Sequence, residues 1–468
     1  MSILRLAFKG FIYNWRLSIS LIIGTFIASS ILTGSLLVGD SVKKTLSARA
    51  NERIGLIKSA LICGDRFVTT DLVKTLNQKI DGYTLSSSLR FPGTLSTPDK
   101  TKRSNTIKIN GVDQNFWTLF GSNDLGSNYL AINRTLANQK KLQIGDRIIV
   151  KFEIPGRVSK DAPLSGESDK IGSISGNITH IVDPSQGGCF NLFAEQERPL
   201  NIFLPLTELQ DKSDKLKRCN LILSNEVEGF EESINKNWSL NDIELRFRPT
   251  HKGFKELVSE RVFISNKIES SIKSKNPNSE SVISYLINDI KKDSLTVPYS
   301  VGTGIGNRAA KILGLTKPKA NEVILNSWLK QTELDGGINA EKNNLINITF
   351  FAVKDSREFQ IIGDGLDENG NPSNDTVSFK VSNFVNEDNG SLSMKWVPDF
   401  PGLDTAKNLA SWESGMPLDT TKIRDSDELY WDKYRSAPKA FFNLEQAQKL
   451  WGNRFGACTS ILIPSESF

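Results

Sequence analysis

Residue types that could carry out chemistry are few in this chain and poorly clustered. The only histidines are His180 and His251. Imidazole-based metal sites and nucleophile–base pairs need partners at defined spacing, and neither histidine has one, so neither is assigned a role. The four cysteines, Cys63, Cys189, Cys219 and Cys458, form no C-x-x-C pair and so match no zinc or dithiol redox motif. Outside the cytoplasm Cys189 and Cys219 could pair, being in the same half of the chain; buried free thiols are the alternative. Val301-Gly-Thr-Gly-Ile-Gly-Asn307 has glycines at the wrong spacing for a dinucleotide fingerprint and reads as a flexible loop. No Walker A sequence is present, which excludes P-loop ATP hydrolysis by this chain. Asp364-Gly-Leu-Asp-Glu-Asn-Gly-Asn371 has the composition of a calcium loop without the EF-hand spacing, and reads as an acidic surface turn. No catalytic, cofactor-binding or metal-ligating residue is therefore assigned, and the expected function is non-enzymatic.

The elements that such a chain builds say more. It has 468 residues, 38% of them hydrophobic, with 58 Lys+Arg against 53 Asp+Glu. That length allows about three domains, and a dispersed net charge of +5 gives no reason to expect a nucleic-acid partner. Residues 17–39 carry no charge and are bounded by Arg16 and Asp40. As a helix they reach roughly 34 Å, enough for a ~30 Å hydrocarbon core. The run is longer than a signal-peptide core and ends without a small-x-small cleavage site, so a retained transmembrane helix is expected. Eleven of its 23 residues are Ser, Thr, Gly or Ala. Gly24 and Ala28 form a small-xxx-small pair suited to packing against other membrane helices; a bare anchor is the bland alternative.

Residues 1–16 form an amphipathic pattern. At 100° per residue, Arg5, Lys9 and Arg16 cluster within about 40°, and Leu4, Phe8, Phe11 and Trp15 within about 60°. This predicts an interfacial helix whose aromatic side chains sit at the lipid headgroups. Three basic residues precede the span; Lys43, Lys44, Arg49, Arg53 and Lys58 follow it with Asp40 and Glu52. The flanking charge thus does not favour a cytoplasmic N-terminus.

Beyond the span, Val42, Leu46, Ala50, Ile54 and Ile57 keep a helical spacing, which predicts a stalk over 40–60. β-Rich runs such as 106–112 and 147–152 alternate with helical ones such as 134–141 and 206–217, and 265–279 reads as a polar linker. The fold class expected is α+β. An internal repeat orders the chain. Tyr129-Leu-Ala-Ile-Asn-Arg-Thr-Leu136 is similar to Glu322-Val-Ile-Leu-Asn-Ser-Trp-Leu329. Further pairs keep the same order: 147–152 with 345–351, 178–182 with 381–385, 203–206 with 441–444, and 220–224 with 460–464. This gives a first repeat at 61–264 and a second at 280–468. An insertion near 386–437 carries Trp396, Phe400, Trp412, Tyr430, Trp431 and Tyr434. These aromatics either pin the loop or form an exposed surface for a partner.

With these pieces the chain resembles the N-terminal part of an FtsX-like, MacB-type ABC transporter permease. The resemblance is carried by Leu37-Val-Gly-Asp-Ser-Val42, Ile109-Asn-Gly-Val-Asp-Gln-Asn-Phe-Trp117 and Leu142-Gln-Ile-Gly-Asp-Arg-Ile148. Lys160-Asp-Ala-Pro-Leu-Ser-Gly166, Tyr430-Trp-Asp-Lys-Tyr-Arg-Ser-Ala-Pro-Lys-Ala440 and Leu450-Trp-Gly-Asn-Arg-Phe-Gly456 add to it. It implies a cytoplasmic N-terminus, a MacB-like periplasmic core from about residue 40, a separate ABC ATPase subunit that binds the ATP, and a dimer. Substrates across that family include lipoproteins, lipids, peptides and drugs, and some members only regulate cell-wall enzymes. Such permeases carry at least three further spanning helices, whereas this chain stops at Phe468, which leads us to expect a truncated or split gene. The remaining helices, or a second permease chain, and membrane lipid complete the expected partners. A self-sufficient single-pass periplasmic binding or adaptor protein is the alternative.

Overall fold

The computed structural model describes the chain except residues 1–2, 80–81, 157–169, 194, 196, 250–252, 354–357, 366–374, 387–395, 401, 404–405, 413–415 and 466–468. The segment 160–166, His251 and most of the acidic run 364–371 lie outside the described residues. Two helices come first, α1 (Ile3–Tyr13) and the 40-residue α2 (Trp15–Ile54), separated at Asn14. The expected stalk ends at Ile54: Gly55 takes φ 54°, a left-handed value that glycine adopts without steric cost, and the chain then enters a sheet.

That first sheet uses β1 (Ser59–Ile62), β3 (Leu85–Ser96), β4 (Arg103–Val112), β5 (Ala131–Asn133), β6 (Arg147–Glu153), β7 (Ile171–Asn177), β8 (His180–Val182), β9 (Asn201–Pro205) and β11 (Leu221–Ser224). A small ladder joins β2 (Val68–Thr69) to β10 (Arg218–Cys219). The helices here are α3 (Thr70–Lys79), α4 (Gln114–Leu119), α5 (Arg134–Lys140), α6 (Leu206–Lys212) and α7 (Phe230–Asn237). The strand order is β1-β11-β3-β4-β9-β5-β8, and β6 joins β3 to β7. Since β7 leads into β8 after two residues, the pairings curl into a ring around Leu89, Ile109, Ile132, Ile148, Ile202 and their neighbours, all buried.

The second sheet uses β12 (Leu245–Pro249), β13 (Phe254–Ser259), β14 (Glu280–Lys292), β15 (Leu295–Ile305), β16 (Glu322–Asn326), β17 (Leu345–Val353), β18 (Phe359–Ile362), β19 (Val377–Val385), β20 (Ala440–Asn443) and β21 (Ser460–Pro464). Its helices are α8 (Asn266–Lys275), α9 (Asn307–Ile312), α10 (Asp425–Tyr434) and α11 (Leu444–Trp451). The order is β12-β13-β21-β14-β15-β20-β16-β19-β17-β18, and a β14–β17 pairing closes the ring. Order and direction match the first sheet: β4/β9 and β15/β20 are parallel, as are β5/β8 and β16/β19. The other pairings compared run antiparallel in both, including β1/β11 with β13/β21 and β3/β6 with β14/β17.

Three expectations change. The first unit does not run to residue 264, because β12 and β13 pair into the second sheet. Segment 265–279 is not a bare linker: it holds α8, whose Glu269 carboxylate is bonded to Lys273 and to buried Ser281 at 2.6 Å each. The glycine run at 301–307 is not a flexible loop either. Gly302 and Gly304 lie inside β15, where a Cβ would come within 2.5 Å of Ile287 and 2.4 Å of Ala447 respectively. Glycine there lets α11 press onto the strand. Gly111 on β4 does the same beneath α6, with Leu209 2.8 Å from a built Cβ.

Candidate functional site

The membrane-facing residues expected from sequence all lie on the two N-terminal helices. Phe8, Phe11 and Trp15 are 67%, 45% and 55% exposed; Arg5 and Lys9 are also exposed on α1, and the Arg16 guanidinium sits 5.6 Å from the Trp15 ring centroid. The side chain of Leu4 lies outside the described residues. Helix α2 buries none of its residues and is the one helix among those described that is long and apolar enough to cross a membrane. Gly24 and Ala28 are exposed on it, and nothing lies within 4 Å of a Cβ built at Gly24. The hydroxyls of Ser20 and Thr25 bond back to the Arg16 and Leu21 carbonyls at 3.0 and 2.9 Å. Those donors are thereby satisfied within the helix, as a hydrocarbon environment requires.

Where α2 ends it is joined closely to the first unit. The Leu56 N–H donates to the Leu119 carbonyl at 2.8 Å, and Asn191 N–H to that of Arg53 at 3.4 Å. The Arg53 guanidinium donates to the Glu197 carbonyl at 3.2 Å. A Cβ at Gly55 would fall 2.6 Å from the Phe120 ring, so chain and ring are in direct contact, and Ile57 is buried beside Phe116 and Phe190. A cavity of about 140 Å³ at this joint is lined by Arg49, Glu52, Arg53, Cys189 and Arg198. Burial raises the Cys189 thiol pKa, against an opposing pull from Arg198. All four cysteines are free; Cys219 packs in a separate cluster with Val68 and Leu72, whereas Cys189 is at the joint.

The segment that receives the stalk also walls a cleft of about 1680 Å³ on the first unit. The floor comes from Pro92 and Thr94 on β3 and from Thr106 and Lys108 on β4; α5, Glu195 and residues 197–200 form the sides. Lys108 Nζ lies 2.8 Å from both Glu195 carboxylate oxygens and 3.2 Å from Asn191 Oδ1. Its ammonium holds the Glu195 pKa below the ordinary glutamate value. Arg134 binds Asp183 in a fork at 2.8 and 3.3 Å and lowers that carboxyl pKa likewise. Both pairs face solvent and add little to stability; they border the cleft wall.

Behind the wall sits a buried amide network. Asn133 caps α5 through Leu136 N–H at 3.0 Å, accepts from Asn201 N–H at 3.2 Å, and donates to the Gly188 and Pro199 carbonyls at 2.9 and 2.7 Å. Asn201 donates to Gly188 and Phe190 carbonyls at 3.0 and 2.9 Å. Asn133→Ala strands these groups, and we expect a loss of about 3 kcal/mol, measured as a lower urea midpoint at unchanged slope. A loss under about 0.5 kcal/mol would show that the network does not hold the wall.

Sequence reasoning singled out Asn133 and Asn326 as a matched pair but missed Arg53, Lys108, Glu195 and Asn201. The cleft draws on six separated segments, which no local pattern reveals. Among the described residues no group of three or more His, Cys, Asp or Glu is placed to hold a metal ion. His180 is exposed, with Nδ1 2.9 Å from Thr179 Oγ1.

The chain is thus a mixed α/β protein with one N-terminal apolar helix. No protein-family model matches it, and no curated protein does. Among solved structures, the periplasmic region of MacB from Actinobacillus actinomycetemcomitans is similar with a TM-score of 0.24 at 11% identity, over 36% of this chain and 72% of that one. The extracellular domain of the noncanonic ABC-type transporter YknZ from Gram-positive bacteria is similar with a TM-score of 0.22 at 9% identity, over 36% of this chain and 78% of that one.

Proposed function

We propose that this chain is a non-catalytic membrane component of an ABC-type permease of the FtsX/MacB kind. Residues 17–39 cross the membrane with the N-terminus cytoplasmic, α1 lies at the lipid interface, and the two sheet units are extracytoplasmic. The units are duplicated copies of one fold, a reading supported by their shared strand order and by Cys219 and Cys458, each of which bridges back to the start of its unit, at Val68 and Ile264. A separate ATPase binds the ATP. Its work reaches the outer units for export or for mechanical signalling, through further permease helices or a second permease chain packed at Gly24 and Ala28.

The observation that carries this reading is the unbroken helix Trp15–Ile54. Beyond the span, residues 40–54 extend it by roughly 22 Å and end in direct backbone bonds to the first unit. A continuous helix transmits tilt and rotation where a flexible linker would absorb them. The test is affinity purification of the full chain from its native membranes. We expect an ATPase bearing a Walker A motif to co-purify, and to be lost when residues 17–39 are replaced by polyleucine. Recovery of the chain with no such ATPase contradicts the reading.

A further inference from the structure

The cleft on the first unit has a filled counterpart on the second. Strand registers place the two side by side. Val112 pairs with Pro205, just before α6, and Ile305 pairs with Asn443, just before α11. Counting back along β4 and β15 sets Lys108 with Val301 and Thr106 with Tyr299. The β3/β4 and β14/β15 pairings then set Pro92 with Leu286. Pro92, Thr106 and Lys108 floor the open cleft. Leu286, Tyr299 and Val301 instead lie beneath Leu403, Leu409, Trp412 and Trp431 of the 386–437 insertion, with a gap of only about 30 Å³ left among them. The Tyr299 hydroxyl bonds the insertion's main chain, accepting from Asp419 N–H at 2.7 Å and lying 3.2 Å from its carbonyl. In the first unit the connection between the equivalent strands, residues 183–200, is much shorter than 386–439 in the second, and among the described residues nothing of that connection lies over the same face as the insertion does.

We propose that the first-unit cleft is the docking site for a polypeptide loop of another protein, which seats bulky apolar side chains, one of them aromatic, where the second unit seats its own insertion. Its chemistry suits a peptide. Thr94, Thr106, Asn138 and Gln139 offer uncharged groups to main-chain amides. Pro92 and Ile171, the latter 67% exposed, offer apolar surface to a ring. Lys108 and Arg134 are paired with Glu195 and Asp183, and the other charged residues of the lining, Lys151, Arg198, Glu153 and Glu197, are two of each sign, so the site does not select for a highly charged ligand. The proposal rests on the correspondence of the two units and is independent of any ATPase.

The probe is a fluorescein-labelled synthetic peptide with the sequence of residues 403–419, titrated against the full chain in lipid nanodiscs and read by anisotropy. Saturable binding is expected, weakened at least about tenfold by Thr94→Trp and by Asn138→Trp, two exposed cleft positions, and unchanged by Leu334→Trp, which lies 95% exposed elsewhere. The triple exchange Pro92→Leu, Thr106→Tyr, Lys108→Val should tighten binding, because it rebuilds the second unit's floor. No saturation up to about 1 mM, binding indifferent to both tryptophan variants, or binding of a lysophospholipid in place of the peptide each overturns the proposal. A triple exchange that does not tighten binding overturns the correspondence beneath it, whatever the outcome of the ATPase experiment.

Discussion

Replacing Lys439 by methionine should remove a contribution to stability that grows with pH between 8 and 10.5. Lys439 is 4% exposed. Its ammonium lies 3.6 Å from Asp427 Oδ1 and 4.4 Å from the Tyr430 ring centroid. Burial lowers its pKa from 10.5 to about 8, Asp427 opposing the shift and Arg424 adding to it. At this site the unfolded chain therefore binds the extra proton between pH 8 and 10.5, so the contribution of Lys439 to stability increases with pH across that window. Below pH 8 both states are protonated and the burial penalty is present in full, about 3 kcal/mol; above pH 10.5 it is gone. Lys439→Met should be as stable as the parent or more so at pH 7.5, because Arg424 still binds Asp427 at 2.8 and 3.0 Å. That advantage should shrink between pH 8 and 10.5, the four cysteine thiols, all raised from 9.0 by burial, weakening both proteins alike above pH 9.0. Asp427→Ala should instead cost about 3–5 kcal/mol, since it leaves a buried cation unpaired. Denaturant midpoints at pH 7.5, 9 and 10.5 give all three results. A Lys439→Met variant that keeps the parent's slope would assign the pH dependence elsewhere.

The second large effect is at Gly304. A Cβ there would lie 2.4 Å from the Ala447 Cβ and 2.9 Å from Ile283 Cγ2. Neither atom belongs to a flexible side-chain end, so α11 must move off β15. That helix carries Trp451, stacked at 5.8 Å on Tyr285 and edge-on to Phe442 at 5.3 Å, and displacing it opens the second core. Gly304→Val is expected to lose about 3 kcal/mol, seen as a lower melting midpoint by tryptophan fluorescence. Gly304→Ala should be milder and partly rescued by Ala447→Gly, even though glycine alone costs a helix ~1 kcal/mol. Strict additivity of the two changes would mean that the contact does not limit packing. Gly111→Val should behave similarly against Leu209, with more tolerance because leucine can rotate.

Sequence legibility followed the range of the physics involved. Residues 17–39 were readable because a continuous uncharged apolar run is a local pattern, and they lie within one unbroken helix, Trp15–Ile54. Asn133 and Asn326 were readable because a buried N-cap before a helix or turn is a local device: each accepts from a backbone N–H just after it. The matched order of segments was readable for the same reason, although strand register pairs Ser460 with Leu221, one residue from the alignment at Asn220. What was not readable depended on distant partners. Gly302 and Gly304 look like loop residues until α11 is laid over them. The insertion's aromatics read first as a loop pin and otherwise as a surface, and their burial, Trp396 and Phe400 at 2% and Trp412 and Trp431 at 5%, is set by strands far away in the chain. The cleft is invisible in sequence because its lining is gathered from six separated segments.

The central claim is a membrane-spanning chain with both sheet units outside the cytoplasm. Its most direct measurement is labelling of intact cells with a membrane-impermeant maleimide, in a Cys63→Ser background because Cys63 is the one cysteine not buried. Leu334→Cys should label fully from outside, and Lys9→Cys only after the membrane is permeabilised. Protection of Leu334→Cys until permeabilisation, or its release into the medium on a chain lacking residues 17–39, would contradict the account.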